Sequence, residues 1–230
     1  MVNSSIYNTL FGSKRGGAKS DISDLMNLFV SKKEFFILIF ANLITQLGIT
    51  YYIMERSDKN AFNFWVLFGI QIIIIFILAL VPMPSWMKFV LFCVFSYTFG
   101  LVLANLKSKY DPTMIKSAII GTISIFGVMM AFGAFLIVSG IKLGLQFGLT
   151  LLFALLLLII VRIVYIFIPS SSGMKRNITI FSLMLFSVYI MYDTNRILQR
   201  NYFGDFITAS LDYYLDILNI FVNMLSYNNN

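Results

Sequence analysis

Seven runs of about twenty mostly apolar residues, separated by short polar turns, fill nearly everything after residue 32. Backbone amides buried in lipid must be satisfied inside their own segment or by a closed barrel, so such a chain has few options. Barrel strands alternate apolar and polar residues, and runs such as Gln71–Leu80 (QIIIIFILAL) do not. Helices are therefore predicted over 35–54, 63–81, 87–106, 115–137, 143–167, 178–197 and 206–226. Turn signals lie between them: Ser57 to Asn60, Pro82 to Pro84, Tyr110 to Pro112, Ser139-Gly140, and Pro169 to Gly173. Short loops make sequential helices antiparallel neighbours. The expectation is an all-α membrane protein, a seven-transmembrane-helix bundle forming one multi-span membrane domain over 32–227, with a polar tail at 228–230. Charged residues are only 12% of the chain, against about 25% in a soluble domain, which excludes the soluble classes.

Residues 1–31 read as an N-terminal arm. GSKRGGAKS is a flexible tail, and Ser20 is placed to cap a short amphipathic helix with Ile22, Leu25, Met26 and Phe29 on one face. No early apolar core of a cleavable leader is visible. The net charge of +7 comes from basic residues between the spans, so it is read as orienting the chain and meeting lipid headgroups, not as binding nucleic acid. Lys14, Arg15, Lys19, Lys32 and Lys33 place the N-terminus in the cytoplasm, and the turn with Arg196 and Arg200 on the same side. Gly140, Gly144 and Gly148, spaced by four, are predicted to let helices approach closely. Arg162, inside the fifth span, either snorkels to the interface, meets an acidic partner, or lines a pathway.

The acidic residues carry the chemistry. Of ten, seven lie in tails, borders or turns; Asp193, Asp212 and Asp216 lie within spans. A carboxylate at the centre of a lipid-facing helix costs about 2.5–3.5 kcal/mol, so these must face a partner or water. In the last span Asp212, Asp216, Asn219 and Asn223 follow i, i+4, i+7, i+11 and line one face. Tyr189, Asp193 and Arg196 share a face of the sixth, which brings Asp193 within plausible reach of Asp216. Two carboxylates about 4 Å apart repel by about 4 kcal/mol at an effective dielectric of 20, so they hold one proton between them. They bridge when half-protonated, and separate or take a cation when both ionise. The alternative is that Asp193 pairs with Arg196 or Arg200 and only fixes the helix end. The chain contains no histidine, which leaves proton sensing near neutrality to carboxylates. Cys93 is the single cysteine, so neither an internal disulfide nor a thiol metal site is expected. No enzyme is predicted. Tyr192-Asp193 and the FGD triplet ending at Asp205 fall short of an intramembrane aspartyl protease: the aspartates are twelve residues apart, and no proline follows Pro169.

MYDTNRIL at 191–198 and DFITASLDYYLDILNIF at 205–221, with TQLGIT at 45–50 and GTISIF at 121–126 in support, resemble the motifs of the Bax inhibitor family. The family includes lifeguard and Golgi anti-apoptotic branches. The resemblance covers about residues 30 to 226. It implies a bundle whose last helix is central, or re-entrant, and a calcium leak through endoplasmic reticulum or Golgi membranes that suppresses apoptosis. By position, Asp193 and Asp216 would be the pH sensor and gate, with transient calcium contact. Asp205 would be the acidic turn residue, and Asp212, Asn219, Asn223, Tyr189 and Arg196 would be auxiliary. No cofactor is implied; the expected partners are calcium ions, the bilayer and cell-death regulatory membrane proteins. Asn195 stands where glutamine is usual. Residues 63–81 contain no arginine, which some members use as a latch, and Phe99 stands where other branches carry glutamate. Asp212 adds a charge one turn from Asp216. A partner-binding inhibitor without conduction, or a proton-coupled carrier, are the other readings; the lack of an internal repeat weighs against a carrier.

Overall fold

The computed structural model describes residues 18–58, 63–167, 172–200 and 204–228. These fold entirely into helices: α1 (Ala18–Ser31), α2 (Lys33–Arg56), α3 (Phe64–Leu80), α4 (Ser85–Lys107), α5 (Pro112–Val138), α6 (Leu145–Phe167), α7 (Ser172–Arg200) and α8 (Phe206–Asn228). No strand occurs among the described residues. Five of them, α2, α4, α5, α6 and α7, are long and apolar enough to cross a membrane, and α3 is apolar but only 17 residues long. The chain is a multi-pass membrane protein. Its last helix is not one of the five: two aspartates and three asparagines dilute it.

That polarity decides where α8 lies. From Phe206 to Ser226 none of its residues is exposed, and it packs against α7, α2, α5 and α4. Tyr213 and Tyr214 are fully buried and carry the aromatic centre: Tyr213 meets Phe126 of α5 edge-on at 5.1 Å, and Tyr214 meets Phe92 of α4 at 5.1 Å. The outer helices turn the other way. Phe153, Leu157 and Ile160 of α6, and Trp65, Ile73 and Phe76 of α3, are exposed, which suits a lipid solvent that satisfies apolar side chains without burial.

Three local expectations change. Helix α1 opens at Ala18, so Ser20 lies within its first turn and is not its cap. Leu25, Leu28 and Phe29 of α1 pack on the bundle while Met26 is exposed, and α1 contacts α5 and α2; the side chain of Ile22 lies outside the described residues. Helix α7 begins at Ser172, before the predicted 178, because Met174, Lys175 and Arg176 are good helix formers that extend it past the apolar run. The glycine spacing at 140, 144 and 148 is not a helix seam. Gly140 sits in a turn at φ 81°, Gly144 precedes α6, and a side chain on either would meet nothing within 4 Å; only Gly148 is a close approach, against the Tyr192 ring.

The tight seam is at Gly133, where a β-carbon would run into the Met191 carbonyl oxygen and come within 2.9 Å of Thr194 Cβ. It brings α5 against the α7 segment that carries Asp193. Gly133→Val is expected to destabilise the detergent-solubilised protein by about 1–3 kcal/mol, an overpacking cost, while Gly144→Ala leaves it unchanged. Thermal unfolding of the two variants checks this, and equal midpoints would refute the seam.

Candidate functional site

The interior of a membrane bundle has no water to serve its polar groups, so the protein must pair them itself. It does so in layers along α8. Near the start of α8, Gly204 (φ 86°) turns the chain in the left-handed region that favours glycine, and Asp205 caps the helix. Its Oδ1 accepts from the Thr208 amide at 3.0 Å, its Oδ2 from the Thr208 hydroxyl at 2.8 Å and from Lys88 Nζ of α4. Partial burial raises the Asp205 carboxyl, but the Lys88 and Thr208 hydrogen bonds outweigh it and hold the group below the usual carboxylate range. Asp205 is thus an anchor between α4 and α8.

One layer deeper, a polar row on α2 meets α4 and α8. Asn42 Nδ2 donates to Ser210 Oγ at 2.5 Å, Ser96 Oγ to Gln46 Oε1 at 2.8 Å, and Thr50 Oγ1 shares a proton contact with Tyr214 OH at 2.5 Å. Asn42, Gln46 and Thr50 are spaced by four, so the same periodicity that marked α8 could have found this row in the sequence. On α7, Asn195 and Gln199 grip the α5–α6 turn. Asn195 Oδ1 accepts from Leu143 N at 2.9 Å, its Nδ2 donates to the Gly133 and Ile141 carbonyls at 3.3 and 3.1 Å, and Gln199 Nε2 donates to Leu143 O at 3.1 Å. Asn195, met above only as the residue standing where glutamine is usual, has this holding role.

Farther from the Asp205 end lie the aspartates. Asp193 and Asp216 are 5% and 4% exposed, and their carboxyls meet within hydrogen-bonding reach. Two carboxyls can hydrogen-bond only if one carries a proton. Among the described residues Asp216 Oδ2 finds no hydrogen-bond partner, although it is buried. Asp212, half-buried one turn earlier, is near enough for its charge to act on Asp216, and half-buried Tyr189 stands beside both members of the pair. Thr194, next to Asp193, contacts Tyr213 OH at 2.7 Å. Arg196 is exposed, with its guanidinium carbon 5.5 Å from the centre of the Tyr192 ring. The side chain of Arg200 lies outside the described residues.

Farther along α8, Asn219 is half-buried and Asn223 is 2% exposed. Arg162 of α6 reaches this end, donating to Asn223 Oδ1 at 2.5 Å and to Ser182 Oγ at 2.8 Å. Arg162 is itself exposed, and both of these hydrogen-bond acceptors are neutral, buried groups. No group of three or more Asp, Glu, Cys or His side chains able to hold a metal ion occurs among the described residues.

An interior carboxyl pair in a multi-pass helical bundle defines the class to which comparison can be made. A family described as "Inhibitor of apoptosis-promoting Bax1" matches residues 26–229. The chain belongs to the Bax inhibitor family. It is 28% identical over 185 residues to Bax inhibitor 1 of Schizosaccharomyces pombe, covering 72% of this chain and 64% of that protein. To the Golgi anti-apoptotic protein of Vaccinia virus (strain Lister) it is 28% identical over 202 residues, 88% of this chain and 72% of the viral one. To a BI1-like protein of Arabidopsis thaliana it is 28% identical over 130 residues, 56% of this chain and 49% of the plant one. The chain therefore spans just under two thirds of the fission yeast relative and about half of the plant relative.

Asp205→Asn keeps a capping oxygen but loses the ion pair, and is expected to lower stability at neutral pH by up to about 1 kcal/mol. Asp205→Ala loses both and should cost about 1 kcal/mol more. Because the folded protein holds this carboxyl low, its contribution is present above about pH 4 and fades as pH falls through the folded-state value. Unfolding midpoints measured against pH check the sign: the gap between wild type and Asp205→Asn must close in acid.

Proposed function

We propose that the protein is a pH-sensitive calcium leak of an internal membrane, gated by Asp193 and Asp216, and that it restrains apoptosis through that leak. In this reading all of α2 to α8 form the membrane domain, the N-terminus faces the cytoplasm, and the membrane is endoplasmic reticulum or Golgi. One observation carries the proposal: a buried carboxyl pair at hydrogen-bonding reach, one oxygen of which has no partner among the described residues. An oxygen of that kind is held for something that comes and goes, and a proton and a cation are the two candidates. Calcium prefers six to eight oxygens, so two carboxylates with nearby amides suit passage better than storage. The gate closes when the pair shares a proton and opens when both members ionise and repel, so flux rises with pH.

Purified protein in liposomes loaded with a calcium dye tests this. Wild-type flux is expected to increase with pH. Asp216→Asn is expected to reduce flux about tenfold and to flatten its pH dependence, the equivalent of about 1.4 kcal/mol lost to the ion at that position. Flux independent of pH and unchanged by Asp216→Asn overturns the gate.

The second reading is an inhibitor of cell death that works by binding a membrane partner, its aspartates holding helices together. It is favoured by the family's description and by the yeast relative's name, both of which name inhibition of a protein and not an ion. Vesicles that conduct no calcium at any pH decide for it.

A further inference from the structure

Helix α6 turns most of its side chains outward, with Phe153, Leu157, Ile160 and Ile163 exposed. Its buried residues, Leu151 and Leu158, are seven apart, and Arg162 follows four later on the same face. Arg162 is itself exposed on the flank of α6, and its guanidinium reaches inward to two groups of the bundle. Both of its hydrogen-bond acceptors are buried: Ser182 is fully buried and Asn223 nearly so. Both are also committed. Ser182 Oγ donates to Ile178 O at 2.8 Å and Asn223 Nδ2 to Asn219 O at 2.7 Å, so the oxygens left over are the ones Arg162 takes. The site is shaped to hold a cation fixed without neutralising it.

Its place on the polar row of α8 gives it a role. Asp212 and Asp216 occupy one end of the row, Asn219 the middle and Asn223 the other end. Seven residues from Asp216 to Asn223 make about 10 Å of helix rise. Arg162 therefore places a positive charge, met by neutral acceptors, at the amide end. Lys175 and Arg176 lie toward the same end of the bundle, on the first turns of α7. A cation leaving the carboxylates along the row must pass this charge.

We propose that Arg162 is a fixed electrostatic plug, which sets the barrier to cations at the end of the row away from the α7–α8 turn. This rests on reading the row as a cation path, and the test separates the two. The row's potential is measured without any ion flux, by placing Asn219→Cys in a Cys93→Ala background. The rate at which a cationic methanethiosulfonate modifies the thiol is divided by the rate for a neutral one, so that changes in access cancel.

Arg162→Gln is expected to raise this ratio about threefold or more, the effect of removing one charge within about 10 Å, and Arg162→Lys to leave it near the wild-type value. A merely structural arginine would change both rates together and leave the ratio alone. An unchanged ratio in Arg162→Gln, or a thiol that no reagent reaches, overturns the plug. In the liposome assay Arg162→Gln should also increase calcium flux several-fold. If the ratio shifts but no variant conducts, the charge acts as inferred and the leak reading falls. If wild type conducts and the ratio does not move, the leak stands and the plug falls.

Discussion

Nothing in a bilayer core will hydrogen-bond to a side-chain carboxyl or amide, and this shapes the molecule more than apolar packing does. Lipid accepts any outward-facing leucine, so hydrophobicity alone cannot tell one face of α6 from another. Polar groups can. Between Phe206 and Ser226 helix α8 carries two aspartates, two asparagines and two tyrosines, and it is surrounded by α2, α4, α5 and α7. Three of those neighbours contribute polar partners where they touch: Asn42 and Thr50 from α2, Lys88 from α4, Thr194 from α7. Around them Phe92, Phe95 and Phe126 pack on the tyrosines. The order of the helices follows from where the polar atoms are.

Most of this was legible in the sequence because lipid simplifies the problem. Helix positions were read to within about three residues, save at the start of α7, which lies six residues earlier. The facing rows on α7 and α8 were read from four-residue spacing, and the structure brings Asp193 and Asp216 together while leaving Arg196 exposed over a tyrosine. What escaped was of two kinds. Asn42, Gln46 and Thr50 had the same spacing but no charge, so Gln46 and Thr50 entered only through the TQLGIT motif and not as a polar row. Asn195, Gln199 and Arg162 find their partners on loops and helices 20 to 62 residues away, and no local pattern encodes those distances.

The glycines show the limit of reading by spacing. Three glycines four apart look like a helix seam, but two of them lie outside any helix and contact nothing. Gly133, with no partner glycine at that spacing, is where backbone meets backbone. Which glycine is a contact depends on what stands opposite, and that is a property of the fold.

The grip of Asn195 and Gln199 has a mechanical meaning. Four hydrogen bonds run from these two side chains to the backbone of Gly133, Ile141 and Leu143. They lie within two turns of Asp193 on the same helix. The end of α7 that bears the aspartate is therefore bolted to the α5–α6 turn, and α5 is seated against it at Gly133. Asp193 is thus carried on a helix whose end is fixed to the α5–α6 turn and to α5 at Gly133, so its position is set by three helices together.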